Sequence, residues 1–464
     1  MNIDALDRFL RPHFRDPADC RPYDDGFLQA YLKQGPLHAF IPERLGGQET
    51  SARTAMEVME TTAYHSLPLG LTMGITGSLF LRPVCKLAQP ALRDSLLPGF
   101  LKGTELGGMM ITEPTGGTDI FGLQTGFEES GGQITFSGHK CWGGLTGRAE
   151  HWLVAARQRR NGRLSKRVAL IYVPLGAAGM QVETYFDALG LQPIPYGLTH
   201  YDNVSVPDSH LITQQGRSAL RDLYDILFRS RLVISAIAGG HCRRLAVEAT
   251  ERADTRITFG TPIASHDQVQ FRLSEIRGTE EINRSFWNFG ANWMDGHPDL
   301  SGDYLLINAA KVVASDGLAT ASDSAFHLFA SAAFKRTHLV GRGYIDVRPF
   351  RIFEGVNDVL NENTFDVLAA RHGTVTLEAL QGELEHYGLA LDDALLPANV
   401  KTVFPADADR LTQRRRVLYG DLLNRIAALA VVSHEAAVQN RDFRDGTRFL
   451  QRHLAARASE LPYL

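Results

Sequence analysis

"ADTRITFGTPIASHDQVQF", residues 253–271, interrupts two long runs of helical spacing. Before it, "RLVISAIAGGHCRRLAVEATERA" (231–253) keeps Ile234, Ile237, Leu245 and Ala249 on one apolar face. After it, "FRLSEIRGTEEINRSFWNFGANWM" (271–294) does the same with Phe271, Ile276, Ile282 and Phe289. Gly260 and Pro262 stop the helix between them. The break therefore offers Arg256, Thr258 and Phe259 together at one helix end.

Outward from this point the texture of the chain changes three times. Residues 1–108 read as helices separated by Gly/Pro breaks such as "GPL" and "ERLGG". Residues 109–215 read as β: "QITFSGHKCW", "HWLVAARQ", "RVALIYVPL" and "THYDNVSVP" are short branched or aromatic runs between turn residues. Helical spacing returns over 216–370 and continues, richer in charge, over 371–464. A helical block, a β block and a helical bundle make an α+β arrangement, not an alternating βαβ one. The last segment carries no assignable chemistry, and the cluster Arg414, Arg415, Arg416 reads as a solvated helix turn.

The 464 residues are 44% hydrophobic and 22% charged, with a net charge of −4 and four scattered cysteines. This is a globular composition with no bias toward nucleic acid or an anionic membrane. No CxxC pair or other metal-ligand spacing is present, so no metal is expected. The N-terminal residues lack the apolar core of a signal peptide, and the apolar stretch "YHSLPLGLTMGITGSLFLRPV" is broken by prolines and glycines. The expectation is a cytoplasmic protein with that stretch buried as a helix or helix pair.

Three further stretches could carry chemistry. "MMITEPTGGTDIFGLQT" (109–125) pairs a Thr-Glu-Pro break with glycines that free the backbone to approach a ligand. "HKCWGGLTGRAEHW" (139–152) sets Trp142, large enough to cover a planar ring, before a glycine-rich turn. "RIFEGVNDVL" (351–360) sets one carboxylate, Glu354, among apolar residues. Glu354 is either an exposed helix-start acid favoured by the macrodipole or a base kept dry for one proton.

The order and spacing of these stretches resemble the acyl-CoA dehydrogenase family of flavoproteins over roughly residues 25–370. The resemblance implies an N-terminal helical domain, a middle β-barrel and a C-terminal four-helix bundle. FAD would lie between barrel and bundle, completed by a neighbouring subunit of a homodimer or homotetramer. Met109, Ile111, Thr112, Gly117 and Thr118 would line the flavin, with Trp142 and Gly144 covering it and Val356 near it. Arg256, Thr258, Phe259, Ala330 and Ser331 would hold the nucleotide half, an arginine fork suiting phosphate oxygens. Glu354 would be the base that takes an α-proton while a β-hydride passes to flavin N5, giving a trans-2-enoyl thioester.

Thr118, Arg231 and Gly355 would contact the substrate, Arg231 being equally readable as a salt bridge at a helix start. Residues 67–81 would line or back the acyl tail. The substrate would ride on CoA or an acyl carrier protein, and the electrons would leave to an acceptor such as an electron-transfer flavoprotein. The alternatives are a non-catalytic, FAD-poor assembly subunit and a flavin monooxygenase on the same fold.

Several positions depart from the family pattern. Gly144 replaces a threonine, leaving Thr146 as the hydroxyl that could compensate. Asp267 follows His266 where an uncharged partner is usual. "HLFASAAF" (327–334) replaces a glycine-rich segment, and Val356 replaces a threonine.

Overall fold

The computed structural model describes residues 2–212, 219–407 and 411–463. The expected boundary near residue 215 lies outside the described residues. The first part contains α1 (Ile3–Leu10), α2 (Asp25–Leu32), α3 (Ala52–His65), α4 (Leu67–Met73), α5 (Arg82–Leu87) and α6 (Pro90–Leu101). Side-chain caps start the first two: Asn2 accepts from the Ala5 N–H and Asp24 from the Phe27 N–H.

Between α4 and α5 the chain does not break. Gly74–Leu81 forms a π-helix, so 67–87 is one continuous, mostly buried rod. Its glycines admit neighbours: a Cβ on Gly77 would lie 2.3 Å from the Phe40 ring and one on Gly70 2.7 Å from Ala63. Among the described residues, no helix is long and apolar enough to cross a membrane.

The middle part is a seven-stranded sheet that curls on itself. Its strands are β1 (Gly107–Met110), β2 (Gly126–Ser130), β3 (Gln133–Cys141), β4 (His151–Arg160), β5 (Arg163–Pro174), β6 (Met180–Tyr185) and β7 (Gly197–Pro207). They run in the order β1-β4-β2-β3-β7-β6, with β5 also paired to β4. Alternation sends Ile134 and Phe136 of β3 and Val204 and Val206 of β7 into the core.

The third part opens with α7 (Ala219–Thr255), which ends in the small hairpin of β8 (Ile257–Thr258) and β9 (Thr261–Pro262). α8 (Asp267–Gly296), α9 (Tyr304–Phe329), the short α10 (Leu339–Asp346) and α11 (Asn357–His372) complete the bundle. The chain continues through β10 (Thr374–Val375), α12 (Leu377–His386), α13 (Ala398–Lys401) and β11 (Ala406–Asp407), then α14 (Gln413–Gln439) and α15 (Arg444–Glu460). α14 packs on α8, α9 and α11, and α15 packs on α8 and α14. Leu422, Leu423, Ile426 and Val432 are fully buried in that seam, so 371–464 extends the bundle core.

Candidate functional site

Glu354 sits on a corner, not on a helix. A 3₁₀ turn over Arg348–Arg351 delivers Phe353 against Phe350, ring centres 4.8 Å apart. Glu354 (φ +58°) and Gly355 (φ +104°) then both take left-handed conformations before α11 begins. Such a φ is uncommon for a residue with a side chain, so the surroundings must hold it. Arg231 Nε donates to the Glu354 carbonyl at 2.7 Å, and Lys311 Nζ donates to the Gly355 carbonyl at 2.6 Å. A Cβ on Gly355 would lie 3.0 Å from Leu360 and 3.3 Å from the Arg231 guanidinium, so close approach as well as φ favours glycine there.

The carboxylate itself accepts a 2.7 Å hydrogen bond from the Ser230 hydroxyl of α7. Burial pushes the Glu354 carboxyl above the ordinary glutamate value; Ser230, Arg231 and Lys311 oppose this only in part. Burial, aided by Arg231, pulls the Lys311 ammonium down to about 7. The Glu354 side chain is half-buried and stands on the turn just before α11.

A second group of residues forms an aromatic wall. Trp142, in a left-handed conformation (φ +60°), leaves 55% of its surface open and is flanked by Phe186 and Tyr196 at 4.5 and 6.0 Å. The loop beside it is anchored from below. Lys140, fully buried on β3, donates to the Glu113 carboxylate at 2.8 Å and to the Ile111 carbonyl at 2.9 Å. Glu113 also accepts the N–H groups of Gln124 (2.6 Å) and Thr125 (2.9 Å), which closes the loop carrying Thr112, Gly117 and Thr118. Gly117 lies against Thr112, where a Cβ would be 2.8 Å from the hydroxyl. Met109 is buried in β1, whereas Thr118 is exposed.

The π-helical rod lies between the wall and α7. A Cβ on Gly144 would lie 2.6 Å from Ile75, while Gly74 faces Val233 and Ile237 of α7, one and two turns beyond Ser230. Gly144 thus admits Ile75. Thr146 is buried, and its hydroxyl donates to the Gly143 carbonyl at 2.6 Å. Val356 is an exposed residue at the start of α11.

The remaining expected residues stand elsewhere. α7 continues for roughly 25 residues beyond Arg231, about 37 Å at the helical rise, before Arg256. At that end Arg256 and Phe259 are exposed on the hairpin, with Thr258 half-buried. Arg252 lies 5.8 Å over the Phe329 ring, which sets the hairpin beside Ala330 and Ser331. Ala330 keeps a glycine-type backbone (φ +50°, ψ −131°). Asp267 turns onto its own helix, accepting from the Gln268 N–H at 2.8 Å. One chain therefore gathers Glu354, Arg231 and Gly355 and leaves the second set at the far end of α7.

His139, Glu183 and His200, from three adjacent strands, also meet. Their rings stack 4.2 Å apart at 6°, so the ring-nitrogen lone pairs lie in parallel planes and do not converge on one ion.

Sequence reading missed Lys140, Glu113, Ser230 and Lys311. Lys140 had a signal, since strand alternation places it on the inward face with Phe136. Lys311, inside the apolar run "LLINAAKVVA", had the same signal as Glu354.

The architecture is an α+β subunit in three parts, with an acidic corner in its helical bundle and an aromatic wall on its sheet. The chain matches the acyl-CoA dehydrogenase N-terminal domain over residues 4–104, the middle domain over 108–204 and the C-terminal domain over 223–368, and it belongs to that family. It is 24% identical over 368 residues to the very long-chain specific acyl-CoA dehydrogenase of Macaca fascicularis, covering 77% of this chain and 55% of that one. It is 23% identical to the short-chain specific acyl-CoA dehydrogenase of Megasphaera elsdenii, covering 73% and 88%. The chain thus spans about half the length of the mammalian relatives and most of the bacterial one. A solved acyl-CoA dehydrogenase from Bacillus anthracis, complexed with FAD, superposes with a TM-score of 0.77 at 19% identity, over 98% of this chain and 84% of that one. That fold therefore includes a counterpart of the C-terminal extension.

Proposed function

We propose that this chain is an FAD-dependent dehydrogenase of acyl thioesters, with Glu354 as the base that removes the α-proton. The observation that carries the reading is the Glu354 corner: a carboxylate raised in pKa by burial, on a turn whose two backbone carbonyls are held by Arg231 and Lys311.

The residues fit the cofactor. The exposed face of Trp142 suits a planar heterocycle, and the loop of Ile111, Thr112, Gly117 and Thr118 offers hydroxyls and close backbone beside it. Bound FAD supplies the hydride acceptor. Glu354 takes the α-proton in a site where burial makes its carboxylate a stronger base than a solvated one, an effect of general-base catalysis typically about 10²–10⁴-fold. Arg231 holds the corner and, with Thr118 and Gly355, faces the substrate. Lys311 keeps the Gly355 carbonyl turned inward, so the corner's geometry is set before substrate arrives.

Arg256, Thr258, Phe259, Ala330 and Ser331 serve the cofactor of a second copy, because about 37 Å of helix separates them from their own corner. The open side chains of Phe259 (102% exposed) and Phe334 (84%) at that end support a covered surface in a homodimer or homotetramer. The thioester rides on CoA or an acyl carrier protein, and an electron-transfer flavoprotein or similar acceptor reoxidises the enzyme.

The test is optical. Purified protein should be yellow, and an acyl thioester should bleach it anaerobically, with the enoyl thioester as product. Protein that retains FAD but stays yellow with both CoA and carrier-protein thioesters of graded chain length would end this reading.

A further inference from the structure

Arg425 of α14, from the extension, connects to the Glu354 corner by way of Asp316 on α9. Arg425 is only 2% exposed. Its Nε donates to both Asp421 oxygens at 3.0 and 3.1 Å, and its Nη2 donates to Asp316 Oδ2 of α9 at 2.9 Å. The other Asp316 oxygen accepts from Asn357 Nδ2 at 3.0 Å and lies 2.8 Å from Arg351 Nε. Asn357 Oδ1 in turn accepts from Lys311 at 2.6 Å, the same ammonium that holds the Gly355 carbonyl. Arg351 and Asn357 flank Glu354 symmetrically in sequence, three residues before and three after. Asp316 therefore grips both shoulders of the corner, and Arg425 holds Asp316 from the opposite side.

We infer that the C-terminal extension is a positioning element for the Glu354 corner, acting through Arg425 and Asp316. The inference rests on the reading of Glu354 as the base. Docking of α14 does not require the polar chain, because Leu422, Leu423, Ile426, Val431 and Val432 already bury the seam. A buried arginine is a costly way to add stability, whereas a fork bridging two carboxylates fixes geometry. Its bond to Asp316 reaches the residues that flank the base at one remove, since Asp316 is what Asn357 and Arg351 contact. Arg457 of α15 lies 3.0 Å from Asp421 and keeps that carboxylate in place.

The test uses the full chain with Arg425→Lys, which keeps the charge but lacks the fork that spans Asp421 and Asp316. Hydrogen exchange of the ligand-free protein should rise severalfold at amides 352–358 while the α14 amides stay protected. The anaerobic rate of flavin reduction by an acyl thioester should fall tenfold or more at unchanged FAD content, and the acid limb of its pH profile should move. If Arg425→Lys does not fold, Arg425→Gln/Asp421→Asn removes the buried charges as a pair and is measured in the same way. Wild-type exchange at 352–358, or a rate loss that merely follows FAD loss, would overturn the inference. Glu354→Gln is run in parallel: if it is inactive while Arg425→Lys behaves as wild type, the base reading stands and the positioning role falls. A wild-type rate in Glu354→Gln removes both.

Discussion

The Ser230 hydroxyl donates a 2.7 Å hydrogen bond to the Glu354 carboxylate across 124 residues of sequence. Burial raises the carboxyl's pKa and this bond opposes the rise. A base works in its ionised form, so activity should increase as pH climbs through that raised value. Ser230→Ala removes a donor that favours the anion. Its acid limb should therefore move to higher pH, read from the pH dependence of anaerobic flavin reduction. A limb that stays in place would show that the hydroxyl does not tune the base.

The buried Lys140–Glu113 pair fixes the loop beside Trp142. Burial is the main cause pulling the Lys140 ammonium down to about 8, and Glu113 opposes it. Lys140→Met strands a carboxylate inside the protein and should cost about 3–5 kcal/mol by chemical denaturation, with reduced FAD retention. Lys140→Met/Glu113→Gln should recover most of the stability. Equal losses in the single and double variants would contradict this account.

Ala330 holds a backbone conformation that suits glycine. Ala330→Gly should raise stability by about 1 kcal/mol, because relieved strain outweighs the added freedom of the unfolded chain. A lower melting temperature would mean that the turn is unstrained.

Glu281 on α8 faces the start of α15, where its carboxylate accepts the Gly446 N–H at 2.6 Å. Burial raises its pKa to about 7, with Asp445 and Glu280 adding to the rise. A folded-state pKa above the unfolded one contributes stability that is complete below about 4.5 and lost as pH rises through about 7. Glu281→Gln should therefore stabilise the protein at pH values above 7, by about 1–2 kcal/mol after solvent screening, and change little at acid pH. Thermal unfolding at both extremes checks the sign.

The fold class was legible in the sequence because the chain changes periodicity in blocks, and because Trp142, the Thr-Glu-Pro loop and Glu354 stand out from their apolar surroundings. The supporting residues were not. Lys140 meets Glu113 across 27 residues, Lys311 meets the corner across 44, and Arg425 meets Asp316 across 109. Each is an ordinary helix or strand residue until packing supplies its partner. The extension looked empty of chemistry for the same reason: Arg425 lies inside an amphipathic pattern that any docked helix would show.

Glu354→Gln separates a carboxylate that takes a proton from one that only shapes the corner. The amide keeps the size and the Ser230 contact but has no basic oxygen. The variant should stay yellow, bind an acyl thioester and not be bleached by it under anaerobic conditions. Bleaching at the wild-type rate would contradict the base role.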